Sequence, residues 1–140
     1  SLMPNHFHLL VRQLVDGGIS TFMRRAMNSY TRAYNTRYNR VGTVFQGRFS
    51  AVLVTTDEQL LHLIRYIHLN PVVSHISAQP EDYRWSSHRQ YLKNTTNRLC
   101  HPKLVLDMIG GDQHRYQSFV SDHIAYASEL ELIKHLTLEE

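Results

Sequence analysis

The chain has 140 residues, a formal net charge of +3 and a pI of about 9.2, a size that suits one domain with a modest core. No apolar run approaches the roughly 20 residues of a membrane helix, and no secretory leader is expected, so we predict no membrane partner. The single cysteine, Cys100, excludes an internal disulfide and fits a reducing, cytoplasmic environment.

The charge is unevenly distributed along the chain. Residues 1–50 contain seven arginines and a single acidic residue, Asp16, whereas residues 126–140 contain four glutamates and one lysine. An arginine-rich half and a high pI are typical of a nucleic-acid binder, although a solvated basic surface explains so small a net charge equally well. Arginine rather than lysine favours phosphate contacts, because the guanidinium fork matches phosphate oxygens.

The first predicted element is a β-strand over residues 5–14. Alternate side chains of a strand face the same way, so His6 and His8 would share one face, with Phe7 and Leu9 on the other. Two histidines on one face suit a metal ion, but a His-x-His pair alone is weak evidence for a site.

A helix is predicted next, from Ser20 as N-cap to about Tyr38. Within it, Tyr30 and Tyr34 start a row with Tyr38 at spacings of four residues. Such a row is more often packed, or a stacking surface, than catalytic. Residues 43–54 are rich in β-branched and aromatic residues and are predicted to form a second strand.

The segment TTDEQLLHLIRYIHLNP predicts a helix that begins after Thr56 and ends at Asn70. Thr56 and Gln59 form a capping box, and Pro71 ends the helix because the residue before a proline disfavours helical geometry. Tyr66 and Asn70 lie four residues apart and therefore share a face beside the buried stripe. A tyrosine at such an edge also has an ordinary structural role, with its ring on the core and its hydroxyl in water.

Further along the chain, short helices are predicted over residues 84–93, 102–109 and 112–124, and the acidic tail adds a possible further one. His62 falls on the solvent side of its helix and His68 nearer the apolar border, so neither is placed in a functional site. The sequence contains no internal repeat and no glycine-rich phosphate loop.

The predicted strand and helix together supply a set of metal ligands. The imidazoles of His6 and His8 and the amide oxygen of Asn70 suit an intermediate or hard divalent cation, and the lack of a thiolate cluster argues against a closed zinc site. Tyr66, one turn from Asn70, would then direct its hydroxyl at a phosphate held by the metal. A phenol is a poor nucleophile near neutral pH, so it would need that polarisation.

Several spaced motifs resemble the HUH-superfamily single-tyrosine transposases, in particular the REP-associated (IS200-like) family. They are MPNHFHLLV, RYNRVGTVFQGRF, RYIHLNPVV, YRWSSHRQYL and, near the end, GGDQHRYQSFV. The resemblance covers most of residues 3 to about 122. It implies that His6 and His8 are the metal-binding pair and Asn70 the third ligand, with Mg²⁺ or Mn²⁺ as the ion. It also implies that Tyr66 attacks single-stranded DNA beside a hairpin, leaving a 5′-phosphotyrosine and a free 3′-hydroxyl.

The resemblance also implies the fold. We expect an α+β, ferredoxin-like domain over residues 1–98, in which a small antiparallel sheet from residues 5–14 and 43–54 is covered by helices, and a helical extension over residues 99–140. In the family a strand, a helix and another strand precede the histidine pair, so the domain is expected to be truncated at its amino terminus. The exposed sheet edge predicts a homodimer, and a fold-back of the acidic tail is the alternative.

The expected function is metal-dependent cleavage and rejoining of single-stranded or hairpin DNA by a tyrosine nucleophile. The arginines expected to contact the DNA are Arg24, Arg25, Arg32, Arg37, Arg40 and Arg48. Two alternatives remain open. The chain could be a nucleic-acid-binding remnant without chemistry, or a hydrolase in which a metal-bound water attacks and Tyr66 is structural.

Overall fold

The computed structural model describes residues 1–93 and 99–124. The helices in these residues are Gly18–Tyr38 (α1), Asp57–Val73 (α2), His88–Lys93 (α3), Lys103–Met108 (α4) and Gln113–Ser121 (α5), with a 3₁₀ turn at Pro80–Asp82. The three short helices predicted after α2 are thus confirmed, with tighter bounds. The predicted helix in the acidic tail lies outside the described residues. Within the described part, no helix is long and apolar enough to cross a membrane.

The chain divides into two compact units. One unit contains Ser1–Leu9 and the described residues from Thr55 onward, and the other is Leu10–Val54. We call them the α2–α5 unit and the α1 unit. The sequence analysis predicted a domain boundary between residues 98 and 99. The division into these two units does not test that boundary, which stays a prediction.

The predicted α+β fold with a ferredoxin-like antiparallel sheet is wrong, because residues 1–93 and 99–124 contain no β-strand. Residues 5–14 and 43–54 are irregular, and one isolated antiparallel bridge joins Leu2 to Phe7. A strand forms only where neighbouring strands take up its backbone hydrogen bonds and cover its apolar face. The two segments have the residue types that favour a strand, but in the described part of the chain they lack neighbouring strands to pair with. The homodimer stays a prediction. The described residues contain no sheet edge through which two copies of the chain could pair.

Helix α1 begins earlier than predicted. Its N-cap is Gly17, not Ser20, and Gly17 has φ of 67°, a left-handed conformation that glycine adopts without steric cost. The helix ends as predicted at Tyr38. Asn39 follows with φ of 49°, and its backbone N–H donates to the carbonyl of Asn35, a left-handed cap that asparagine tolerates well.

Helix α2 begins as predicted and ends later. The Thr56 hydroxyl accepts from the backbone N–H of Gln59 at 3.1 Å, while the Gln59 side chain accepts from the N–H of Thr55 at 2.9 Å. The predicted end at Asn70 is wrong, since the helix continues through Pro71 to Val73. A proline in the last turn removes only one helical hydrogen bond, and the Pro71 side chain is fully buried.

The core of the α2–α5 unit is formed by side chains from all four of its helices, and α5 packs against both α2 and α3. The buried residues of this core are Ile64, Leu69, Tyr91, Val105, Leu106, Tyr116 and Val120. Because α2 contributes its buried face to this core, the rotation of α2 about its axis is set by packing.

Candidate functional site

His6 and His8 lie on a short hydrogen-bonded loop and not on a strand. The backbone of Ser1 and His8 exchanges two hydrogen bonds, of 3.0 and 2.9 Å, and the N–H of Met3 donates to the carbonyl of His6 at 2.8 Å. These bonds close the loop on itself, so the two histidines are held close together without a neighbouring strand.

The loop is attached to the rest of the α2–α5 unit through Leu2. The N–H of Leu2 donates to the carbonyl of Trp85 at 2.9 Å, and the hydroxyl of Tyr83 donates to the carbonyl of Leu2. The segment after the 3₁₀ turn therefore positions the histidine loop. None of these contacts was predicted from sequence, because they join residues about eighty positions apart.

The structure brings three of the four predicted site residues into direct contact. The rings of His6 and His8 lie 4.9 Å apart, centre to centre, at 83°, and the rings of His8 and Tyr66 lie 5.4 Å apart at 76°. Both contacts are edge-to-face, a favourable arrangement for aromatic rings. Tyr66 is 46% exposed, so part of this residue is open to solvent.

Asn70 lies one turn further along α2 and is buried. Its side-chain oxygen Oδ1 and the Nε2 atom of His8 are both buried and have no hydrogen-bond partner among the described residues. An unsatisfied buried polar atom costs about 1–3 kcal/mol, so each such atom calls for an explanation such as an ion or ordered water. These are two of the atoms that the sequence predicts as metal ligands.

The surroundings of His8 favour its neutral form. Burial, the neighbouring His6 ring and the amino terminus all lower the pKa of His8. A neutral imidazole has a lone pair for a cation. The described residues contain no group of three or more His, Cys, Asp or Glu side chains that would hold a metal. An imidazole and amide set of this kind fits a divalent cation with open positions.

His68, which the sequence analysis left out of the site, anchors the opposite side of α2. It lies two residues from both Tyr66 and Asn70, which is more than half a turn away on a helix, and it is fully buried. Its Nδ1 shares a hydrogen bond with the Tyr116 hydroxyl, and its Nε2 shares one of 2.8 Å with the Ser87 hydroxyl. Its place at the apolar border of the helix was the only signal of burial in the sequence.

Further buried rings surround His68. The ring of His88 lies 5.2 Å from that of His68, and Tyr91 stacks on Tyr116 at 4.9 Å. Burial lowers the pKa of His68 well below its ordinary value and raises that of Tyr116. Burial also lowers the pKa of His88 to about 4, although the nearby Glu81 carboxylate acts to raise it.

The predicted DNA-contacting arginines lie in the α1 unit and fall into separate groups. Arg24, Arg25 and Arg32 line one groove on α1 together with Asn28 and Ser29. Three guanidinium groups beside short polar side chains provide the hydrogen-bond donors that phosphate oxygens accept.

The other three predicted arginines do not line this groove. The guanidinium carbon of Arg37 lies 5.9 Å from the ring centre of Tyr38, and that of Arg40 lies 5.7 Å from the ring centre of Tyr34. Arg48 belongs to the irregular segment 43–54. The arginine-rich region therefore combines a groove with a separate set of cation–aromatic contacts.

Comparison with known protein families gives one match. A family model described as "Transposase IS200 like" matches residues 1–70, a span that contains His6, His8, Tyr66 and Asn70. No match is found among curated proteins or among solved structures.

Proposed function

The chain belongs to the family of IS200-like transposases, and from this membership we propose that it cleaves and rejoins single-stranded DNA with Tyr66 as the nucleophile. The observation that carries the proposal is the contact between the His8 and Tyr66 rings. Tyr66 shares helix α2 with Asn70, whose buried Oδ1 has no hydrogen-bond partner among the described residues. A half-exposed tyrosine therefore contacts one proposed metal ligand and lies one helical turn from another.

In the proposed step the phenolic oxygen of Tyr66 bonds to the scissile phosphorus and the bond from phosphorus to the 3′ oxygen breaks. The phenol proton passes to solvent, and the departing 3′ oxygen takes up a proton to become a hydroxyl. The products are a 5′-phosphotyrosine and a free 3′-hydroxyl. In the reverse step a 3′-hydroxyl displaces Tyr66, so the phosphodiester is restored without an external energy source.

His6, His8 and Asn70 would hold a divalent ion, Mg²⁺ or Mn²⁺. When bound, such an ion polarises the phosphate and stabilises the charge that develops on it. The lowered pKa of His8, caused first by burial, and the buried Oδ1 of Asn70, which has no hydrogen-bond partner among the described residues, support this assignment. The protein supplies the geometry: the hydrogen bonds of Leu2 hold the histidine loop, and those of His68 hold α2.

The groove of Arg24, Arg25 and Arg32 would hold the DNA backbone. Contacts to phosphate fix the position of a nucleic acid and supply most of its sequence-independent affinity. Since the groove lies in the α1 unit and the tyrosine in the α2–α5 unit, binding and chemistry are assigned to different parts of the chain.

The test uses a DNA hairpin with a single-stranded flank, labelled at either end, incubated with the protein and Mn²⁺. We expect a denaturant-resistant adduct that retains the 3′-labelled piece, and its loss in Tyr66→Phe. Tyr126→Phe, at a tyrosine with no role in the proposal, is the matched control and should form the adduct. An adduct that survives Tyr66→Phe would refute the assignment of the nucleophile, and a released 5′-phosphate without an adduct would identify water as the attacking group.

A further inference from the structure

The tyrosines of α1 form a continuous line of rings. The ring centres of Tyr30 and Tyr34 lie 6.0 Å apart with their planes 25° from parallel, and those of Tyr34 and Tyr38 lie 4.6 Å apart. Phe45 extends the line, since its ring lies 5.6 Å from that of Tyr30. We call these four residues the aromatic row.

The aromatic row is exposed in spite of its apolar content. Tyr30 is 52% exposed and Tyr38 is 56% exposed, whereas Tyr91 and Tyr116 in the other unit are buried. The loop that carries Phe45 is attached to the helix, because the Asn35 side-chain amide donates to the carbonyl of Gly42 at 2.9 Å. Tyr34 and Phe45 are half-buried, so the row is a partly exposed surface that its own unit does not fully cover.

The surroundings of the aromatic row are cationic. Guanidinium groups lie within 6 Å of two of its ring centres, those of Arg37 over Tyr38 and of Arg40 over Tyr34. The whole Leu10–Val54 unit contains seven arginines and one aspartate. An apolar protein partner would have to bury these charges, whereas a ligand with both flat rings and negative charges would complement them.

The aromatic row and the arginine groove occupy different sectors of α1. At 100° per residue, Arg25 and Arg32 lie about 160–180° from the middle of the sector of Tyr30, Tyr34 and Tyr38, and Arg24 lies about 80° from it. The aromatic row is therefore a surface distinct from the groove.

We propose that the aromatic row stacks unpaired bases of single-stranded DNA, with Arg37 and Arg40 beside the phosphates that join those bases. Exposed aromatic side chains accept any base by stacking, and neighbouring arginines add cation–π and phosphate contacts. The proposal deepens the proposed function by assigning a base-binding surface to the single strand. This proposal rests on the proposed function for one point, the identity of the ligand as single-stranded DNA. No proposed catalytic residue belongs to the row.

The experiment measures, by fluorescence anisotropy, binding of the full chain to a short oligothymidine and to an abasic strand of the same length. Both strands have the same phosphates, so the ratio of their affinities reports on the bases alone. We expect the parent protein to bind oligothymidine about tenfold or more tightly than the abasic strand. The variant Tyr30→Leu/Tyr34→Leu/Tyr38→Leu should bind the two strands equally.

Two further variants separate stacking from other effects. Replacing the same three tyrosines by phenylalanine keeps the rings and should preserve the preference, and Arg24→Gln should weaken both strands by the same factor. Tyr38→Leu alone, at a highly exposed position, should lose part of the preference and serves if the triple leucine variant does not fold. Equal binding of both strands by the parent, or a preference that survives the leucine changes in a folded variant, would overturn the proposal.

Failure of this proposal differs from failure of the proposed function. Tyr66→Phe should lose the covalent adduct and retain the preference for oligothymidine. If the parent protein forms no adduct but prefers oligothymidine, only the proposed cleavage chemistry is contradicted. If it forms the adduct but binds both strands equally, only the proposed role of the aromatic row is contradicted.

Discussion

The two units of the chain differ in how far they bury aromatic side chains. In the α2–α5 unit Tyr116 and His68 are fully buried, and each has a hydrogen-bond partner. In the α1 unit Tyr30 and Tyr38 are more than half exposed, and among its described residues only Met23 is buried.

This difference matches two different physical requirements. Catalytic groups must be held to within a fraction of an ångström, which requires rigid elements with supporting contacts behind them. Binding a flexible, charged strand requires accessible rings and cations, and it tolerates variation in their positions. Substitutions in the α2–α5 unit should therefore change stability and chemistry, whereas those in the α1 unit should change affinity and its salt dependence.

The largest effect is expected for the histidine pair. His8→Ala, and likewise His6→Ala, should abolish binding of Mn²⁺ as measured by calorimetry, because each change removes a proposed ligand, while DNA binding at low salt persists. Asn70→Ala should weaken Mn²⁺ binding, with a smaller effect than either histidine change. His62→Ala is the matched control, since His62 lies on α2 but is exposed to solvent. If His8→Ala binds Mn²⁺ as well as the parent, the pair is structural.

The next largest effect concerns the anchor behind the site. His68→Leu leaves the hydroxyls of Tyr116 and Ser87 without their buried partner and should lower the free energy of unfolding by about 3 kcal/mol, measured by urea denaturation. Adding Tyr116→Phe removes one orphaned hydroxyl and should restore part of the stability. A double variant less stable than the sum of the two single changes would contradict this account.

A somewhat smaller effect is expected from pH. His88 has a folded-state pKa of about 4, below the ordinary value near 6.5, so the unfolded chain binds its proton first as the pH falls. Stability is then complete above about pH 6.5 and decreases toward pH 4, with a loss of about 2 kcal/mol at pH 5 from this residue. Urea titrations at several pH values measure the decrease. His88→Gln should make it shallower, while the part that comes from His68, whose pKa burial also lowers, remains. An equally steep decrease in that variant would assign the effect to other groups.

The smallest effects are expected in the arginine groove. Arg24→Gln, Arg25→Gln or Arg32→Gln should each reduce the slope of log affinity against log salt by about 1. The free energy of unfolding should change by no more than about 0.5 kcal/mol, since these are surface positions. Salt titrations of DNA binding measure the slope. A loss of stability without a change in slope would give these arginines a structural role.

The helices and their contents were largely predictable from the sequence. The end of α1 and the start of α2 follow from helical spacing and from the Thr56–Gln59 cap, which depend on residues a few positions apart. The same spacing placed Tyr66 and Asn70 one turn apart. The motifs that resemble transposases were also sufficient to predict the IS200-like family, and the family-model match over residues 1–70 confirms that prediction.

The tertiary structure decided the features that depend on contacts between residues far apart in the sequence. The sheet predicted from residues 5–14 and 43–54 is absent from the described residues, because strand formation depends on neighbours that local composition does not specify. The contact of His8 with Tyr66 depends instead on the hydrogen bonds that the Leu2 backbone makes, as donor to Trp85 and as acceptor from Tyr83. The sequence by itself thus determined which side chains share a helix face. Only long-range packing and hydrogen bonds decided which loop meets that face and that His68 supports it from behind.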